Sequence, residues 1–408
     1  MARVLQLVTL HDASIRVKLG VLVAILSVPI IVLLAIQYQA RNADVTLAHR
    51  ESDGLTYVTG VIPLLKDVQT HRSLAMAVAN GDTGSAAALS ASGQAVERDL
   101  AALSAMDAKF GASFGTKDFV ASINSQWTQV KRDTSNPIDS VSFASHSQLI
   151  DQGILPLITQ AGESSRLFLD PAASGIKSVG AITENTLQYV EALSKLQAYG
   201  LGVALSRQNQ PVTGFQKTFI QNQESDATAA SDTLLRYVNS AISANNNLNA
   251  TIRPVLLKNQ AATLSFFASL NGSMVDAAAV SVPAATLAAD GNVAVSSALD
   301  IFSAARAPLV PEFQDRVSTA QRSLLLEIGI AVGGVIVALL ISGAVARSVT
   351  RPLSQLAEVA DRMSLGELDV EIDVTGNNEI GQLAESLRRM QASLRSAIER
   401  LRSRRTAA

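Results

Sequence analysis

Four histidines stand in this chain of 408 residues, at positions 11, 49, 71 and 146, and no cysteine accompanies them. That removes thiol nucleophiles, Cys-ligated metals or clusters, and disulfides. The histidines match no ligand spacing such as H-E-x-x-H, and no G-x-S-x-G elbow or phosphate-cradling glycine loop stands out. No residue set points to catalysis, to a metal or to a cofactor. The residues best suited to recognition are His71, which lies on an apolar stripe of helical spacing, and Arg72 beside it. Two adjacent basic groups facing a helix interior can receive a carboxylate or a nitrate-like anion. Arg166 and Arg207 are further candidate contacts for such a small-molecule ligand. The alternative is structural, with His71 satisfied by a carbonyl and Arg72 paired with an acid such as Asp67 or Glu163. Trp127, the sole tryptophan, reads as a packing anchor between helices rather than as a ligand platform.

The elements that must position these residues are helices. Ile182, Thr186, Tyr189, Leu193, Leu196, Gly200 and Val203 follow alternating spacings of four and three, the mark of a bundle helix. Leu64, Val68, His71, Ala75 and Val78 repeat the pattern, as do Ile150, Ile154, Leu157, Ala161, Ser164 and Phe168. Strand-like alternation is nowhere sustained, so the fold class is all-α. Breaks are expected at Gly81–Gly84, Gly111–Gly115, Asn136-Pro137, Asp170-Pro171, Gln210-Pro211, Arg253-Pro254, Val282-Pro283 and Asp290-Gly291. Pieces of that number suit two stacked or tandem four-helix bundles better than one. A final helix of this region should start near Pro311.

Two apolar runs set the class of protein. Leu19–Ile36 and Ile328–Ala346 carry no charge, and each reaches the length that spans a bilayer. Arg3, Arg16 and Lys18 precede the first, and Arg347, Arg351 and Arg362 follow the second. By the positive-inside rule both termini are cytoplasmic. The expected organisation is therefore a cytoplasmic N-terminus over 1–18, transmembrane helices over 19–36 and 328–346, an extended periplasmic helical sensor region over 37–327, an inner module over 347–401 and a tail over 402–408. A cleavable signal peptide is the rival reading of the first run, but Tyr38-Gln39-Ala40 is a poor cleavage site. With 33 basic and 35 acidic residues, the formal charge of −2 offers nothing to nucleic acid.

The inner module carries the most specific pattern. After Pro352, Leu353, Leu356, Ala360 and Met363 mark a short amphipathic helix ending at Gly366. An extended piece over 367–374 follows, and then Glu379-Ile380-Gly381 opens a second helix with the seam Ile380, Leu383, Leu387, Met390, Leu394, Ala397 and Leu401. Two such helices cannot bury their stripes alone, which predicts a homodimer and a parallel four-helix coiled coil. Pro352, the turn Gly366-Glu367-Leu368, Ile372 in the connector and Glu379-Ile380-Gly381 together resemble a HAMP domain. The stretch GNNEIGQLAESLRRMQASL is similar to those of methyl-accepting chemotaxis receptors. The resemblance implies that Pro352 marks entry to the first helix, that Gly366 allows the turn, and that Leu368 and Ile372 tuck into the bundle. It also implies that Glu379 caps the second helix and ties it to the first.

A second resemblance covers the outer region. The segment Leu64–Leu74, Trp127, His146 and the stretch Ser165–Pro171 look like landmarks of bacterial receptors with helical sensor bundles. Together these resemblances imply a non-enzymatic receptor of the bacterial inner membrane. It would pass an external stimulus through the HAMP module to a separate or missing output partner: a chemoreceptor, a histidine kinase or a cyclase. The alternative is a structural or binding membrane protein whose outer bundle presents a surface.

Overall fold

In the computed structural model, residues 15–135, 139–168 and 176–406 are described, and they contain no strand, only an isolated bridge between Gln208 and Val280. The all-α expectation holds. The chain divides into two compact units, one of Asp44–Thr319 and one of the flanking segments up to Ala43 and from Ala320 onward. In order, the α-helices are α1 (Ile15–Ala79), α2 (Ala86–Phe114), α3 (Lys117–Ser135), α4 (Asp139–Leu149), α5 (Leu155–Ser164), α6 (Ile176–Ser206), α7 (Gly214–Ala244), α8 (Asn247–Leu270), α9 (Ala284–Arg306), α10 (Leu309–Val345), α11 (Arg351–Ser364) and α12 (Glu379–Thr406). One π-helical turn, Ile150–Ile154, joins α4 to α5, and another, Ala346–Thr350, joins α10 to α11.

Within Asp44–Thr319, α6 packs along α7 and α9, and α9 along α8, while α3 and α4 lie side by side and α5 touches α2 and α6. A single apolar core runs through both groups, from Val58, Leu65 and Ile123 to Ile220, Phe266 and Ile301. The α6 stripe forms its spine. All seven positions from Ile182 to Val203 are buried, because spacings of four and three keep them on one face of a helix with 3.6 residues per turn.

Two expected breaks are not breaks. Pro254 lies inside α8, where the buried Ile252, Leu256 and Asn259 hold the helix against its neighbours despite the lost hydrogen bond. The chain turns at Asn245 and Asn246 instead. Gly291 lies inside α9, where a Cβ would come within 2.5 Å of Gln197 Cγ. This glycine is a close-approach site for α6, and the turn falls after Arg306. The Gly81–Gly84, Gly115, Gln210-Pro211 and Val282-Pro283 breaks stand where expected. Those at Asn136-Pro137 and Asp170-Pro171 lie outside the described residues.

In the flanking unit, most of the described side chains of the first apolar run are exposed, among them Ile25, Leu33 and Ile36. So are most of those of the second, including Ile330, Leu340 and Ile341. Among the described residues one helical stretch, within Ala284–Ser364, has the length and apolar composition of a membrane crossing. Glu327, at the start of the second run, pairs with Arg41 just past the end of the first, at 3.1 Å.

Candidate functional site

His71 and Arg72 are consecutive on α1, so their side chains leave the helix about 100° apart and meet different neighbours. Arg72 turns to α6. Its Nη1 donates to Glu191 Oε1 at 2.6 Å and its Nη2 to Glu191 Oε2 at 3.1 Å, a bidentate pair. Ser194 Oγ and Ser147 Oγ accept from the same guanidinium, and Gln69 Nε2 donates to Glu191 at 2.8 Å. Both charged side chains are buried, at 0% and 3% exposure. An internal carboxylate thus occupies the position expected for an external anion. The acid is Glu191, on the neighbouring α6, and not Asp67 or Glu163.

His71 turns the other way, towards α4. Its Nδ1 lies 2.7 Å from His146 Nε2, and His146 Nδ1 lies 2.5 Å from the carbonyl of Ser142. The partner of His71 is therefore a second histidine and not a carbonyl. Burial pushes His71 down to about 4, and burial together with the neighbouring His71 holds His146 well below the ordinary imidazole range. Trp127 stands edge-on to His71, ring centroids 5.0 Å apart, and is buried as an anchor should be. Arg166 does not join this cluster. It sits exposed beyond the end of α5 with φ +65°. Arg207 follows α6, in the loop before Pro211.

The C-terminal module has a core of its own. Leu356 and Met363 of α11 pack with Ile372 of the connector and with Ala384 and Leu387 of α12. Pro352 is the second residue of α11, which directly follows the π-helical turn Ala346–Thr350. At the other end of α11, Glu367 N–H donates to Arg362 O and Gly366 N–H to Met363 O, a Schellman closure. Gly366 has φ +96°, which a side chain would strain, and the Glu367 carboxylate pairs with Arg362 at 2.7 Å.

The connector is extended, so alternate carbonyls share one side. Gln391 Nε2 donates to Leu368 O and Val370 O, at 3.0 and 2.7 Å. Arg388 donates to Ile372 O and Val374 O, at 2.9 and 2.7 Å. Two side chains one turn apart on α12 therefore stitch the connector down. Ile372 is buried as expected, and Leu368 is half-buried.

The cap of α12 is Asn378 rather than Glu379. Asn378 Oδ1 accepts from Gly381 N at 3.1 Å. Glu379 follows, exposed, at the first helical position, where a carboxylate meets the positive end of the helix dipole. Ile380 packs at the edge of the core. Gly381 faces Gly376, whose carbonyl oxygen would lie 1.8 Å from a Cβ, so only glycine fits.

Sequence reasoning missed His146 and Glu191 as partners, and Asn378, Arg388 and Gln391 as fasteners. The preference of asparagine for helix N-caps was a usable signal for Asn378. Polar residues flanking the α12 seam, beside a connector without a strand partner, were one for Arg388 and Gln391.

A family model of the HAMP domain matches residues 344–396, the segment holding this fastened pair of helices. This is a HAMP-containing, chemoreceptor-like protein. The methyl-accepting chemotaxis protein TlpB of Bacillus subtilis is 37% identical over 91 residues, 22% of this chain and 13% of the relative. A putative sensory transducer protein of Acetivibrio thermocellus is 33% identical over 86 residues, 21% of this chain and 15% of the relative. The methyl-accepting chemotaxis protein NahY of Pseudomonas putida is 40% identical over 76 residues, 18% of this chain and 13% of the relative. The matches thus span a small part of each relative. Among solved structures, the NasR transcription antiterminator aligns over 90% of this chain and 99% of its own, with a TM-score of 0.51 and 13% identity. That likeness is one of fold. The HAMP domain and these relatives support a signal-transduction role.

Proposed function

We propose that the protein is a dimeric sensor of the bacterial inner membrane. Residues 37–327 would lie outside, two helices at 19–36 and 328–346 would cross, and the HAMP domain would relay the stimulus to a separate output partner inside. The observation that carries this reading is the run from Leu309 to Ser364, helical without interruption. It begins with Leu309 and Phe313, buried in the outer core, passes through an apolar stretch with exposed side chains, and ends with Leu356 and Met363 in the HAMP core. A helix holds its residues in fixed phase, so a shift or rotation at one end reaches the other. Exposed apolar stretches of this length need a covering, and lipid provides one.

Dimerisation is supported by the seam. Leu383, Met390 and Leu394 of α12 are 45%, 49% and 42% exposed, while Ala384 and Leu387 beside them are buried. A second copy would cover the exposed half. Of the candidate ligand residues, Arg72 is already closed by Glu191, which leaves His71 as the one that borders an open groove. Because the chain has no cysteine, single-Cys variants test the topology directly. A membrane-impermeant maleimide added to intact cells should label Phe215→Cys and spare Glu385→Cys until the membrane is opened. Labelling of Glu385→Cys alone in intact cells would overturn the orientation.

A further inference from the structure

A groove of about 470 Å³ lies against α1, α2 and α3, bordered by His71, Val78, Leu89, Gly93, Glu97 and Trp127. Its inner wall presents two polar atoms without hydrogen-bond partners among the described residues. One is Trp127 Nε1, on a side chain that is 97% buried by its 3% exposure. The other is His71 Nε2, and its protonation follows from the hydrogen-bond chain behind it. The Ser142 carbonyl can only accept, so His146 Nδ1 carries a proton. The Nε2 of a neutral His146 is then a bare lone pair, and His71 Nδ1 must donate to it. That leaves the Nε2 of a neutral His71 as an acceptor. A Cβ at Gly93 would stand 3.4 Å from this nitrogen, so the missing side chain keeps it within reach of the groove.

The wall is electrically neutral. Burial keeps both imidazoles uncharged at neutral pH, and the one ion pair at the rim, Lys131 with Glu97 at 2.9 Å, cancels itself. Trp127 also lies near enough to Glu97 to help hold that carboxylate below its ordinary range, after Lys131, though not in hydrogen-bonding geometry. A lone pair on one side and an N–H on the other ask for a ligand with a donor and an acceptor and no charge. An anion would face the imidazole lone pair, and a cation would leave the indole N–H unmatched. We propose that this groove binds a small uncharged molecule of the amide class. Its N–H donates to His71 Nε2, its carbonyl accepts from Trp127 Nε1, and Val78 and Leu89 receive an apolar substituent. The assignment names a stimulus class for the sensor and for that role rests on the reading above, but binding itself does not depend on the relay.

Because Trp127 is the only tryptophan, its emission reports this groove alone. The full chain in detergent should be titrated at pH 7 with acetamide, acetate and methylammonium. Acetamide should shift the Trp127 emission saturably, with a dissociation constant on the order of millimolar. Butanamide, with two more methylenes, should bind roughly tenfold tighter. The response should vanish in Gly93→Leu, which fills the groove, and in His71→Leu, which removes the acceptor, each folded by circular dichroism. Should only one of these fold, that one decides. A saturable response to acetate or methylammonium equal to that of acetamide would overturn the proposal, as would none to acetamide. Neither result bears on topology or on HAMP cross-linking.

Discussion

Arg72 and Glu191 are a buried ion pair whose value lies in being matched. Ser147 and Ser194 accept from the guanidinium Nη atoms and Gln69 donates to the carboxylate, while Arg72 Nε is left without a partner among the described residues; α1, α4 and α6 meet there. Glu191→Gln should therefore lower stability by about 3–5 kcal/mol, since it leaves a guanidinium charge uncompensated. The double change Arg72→Met with Glu191→Leu should recover most of that loss, and thermal unfolding of the two variants checks the difference. The histidine pair predicts a pH dependence of definite sign. His71 titrates near 4 when folded, below its ordinary value of 6.5, so the unfolded chain binds protons that the folded chain refuses. Stability is complete above about pH 6.5 and falls as pH drops towards 4, by roughly 1–3 kcal/mol. Denaturant titrations at pH 7.5 and 4.5 should show the fall, and His71→Gln should reduce it, leaving the part that comes from the buried His146. The inward stripe that holds His71 was legible in its spacing. Its partner was not, because His146 is 75 positions away and only the bundle brings the two together.

At the scale of elements, helix faces were readable where spacing alone decides them, and turns were not where packing overrides local propensity. The α6 stripe is a case of the first kind, since burial follows periodicity residue by residue. Pro254 and Gly291 are cases of the second. Each is a breaker by type, yet burial of the faces beside them keeps α8 and α9 intact. In the HAMP domain the two helices, the turn and the core positions Leu356, Met363, Ile372 and Leu387 were legible, whereas the buried Ala384 and the fastening of the connector were not. Gly381→Ala should push Gly376 away, at a cost of about 1–3 kcal/mol. Gln391→Ala should free the carbonyls of Leu368 and Val370. Both changes should expose the segment 367–378 to limited proteolysis while leaving the Asp44–Thr319 unit resistant. Cleavage unchanged from the parent would mean that the connector is held by its apolar contacts alone.

For the whole molecule, the chain carries two kinds of apolar surface that it does not bury itself. One is the exposed side chains described within the uncharged runs at 19–36 and 328–346, and the other is the outer half of the α12 seam. Lipid fits the first, since the residues are apolar all around the helix with charges only at the ends. A second copy fits the other, since the stripe is one-sided and spaced for a partner helix. The central claim is that this seam closes between two chains and moves with the outer domain. The most direct measurement is disulfide formation in native membranes, using single cysteines placed in turn along Ile380–Leu394 of this cysteine-free chain. Cross-linking should peak at Leu383, Met390 and Leu394 and be weak at Glu385, Arg389 and Ser393. The peaks should shift in strength when a ligand occupies the outer domain. Uniform cross-linking without phase, or none at any position, would contradict the account.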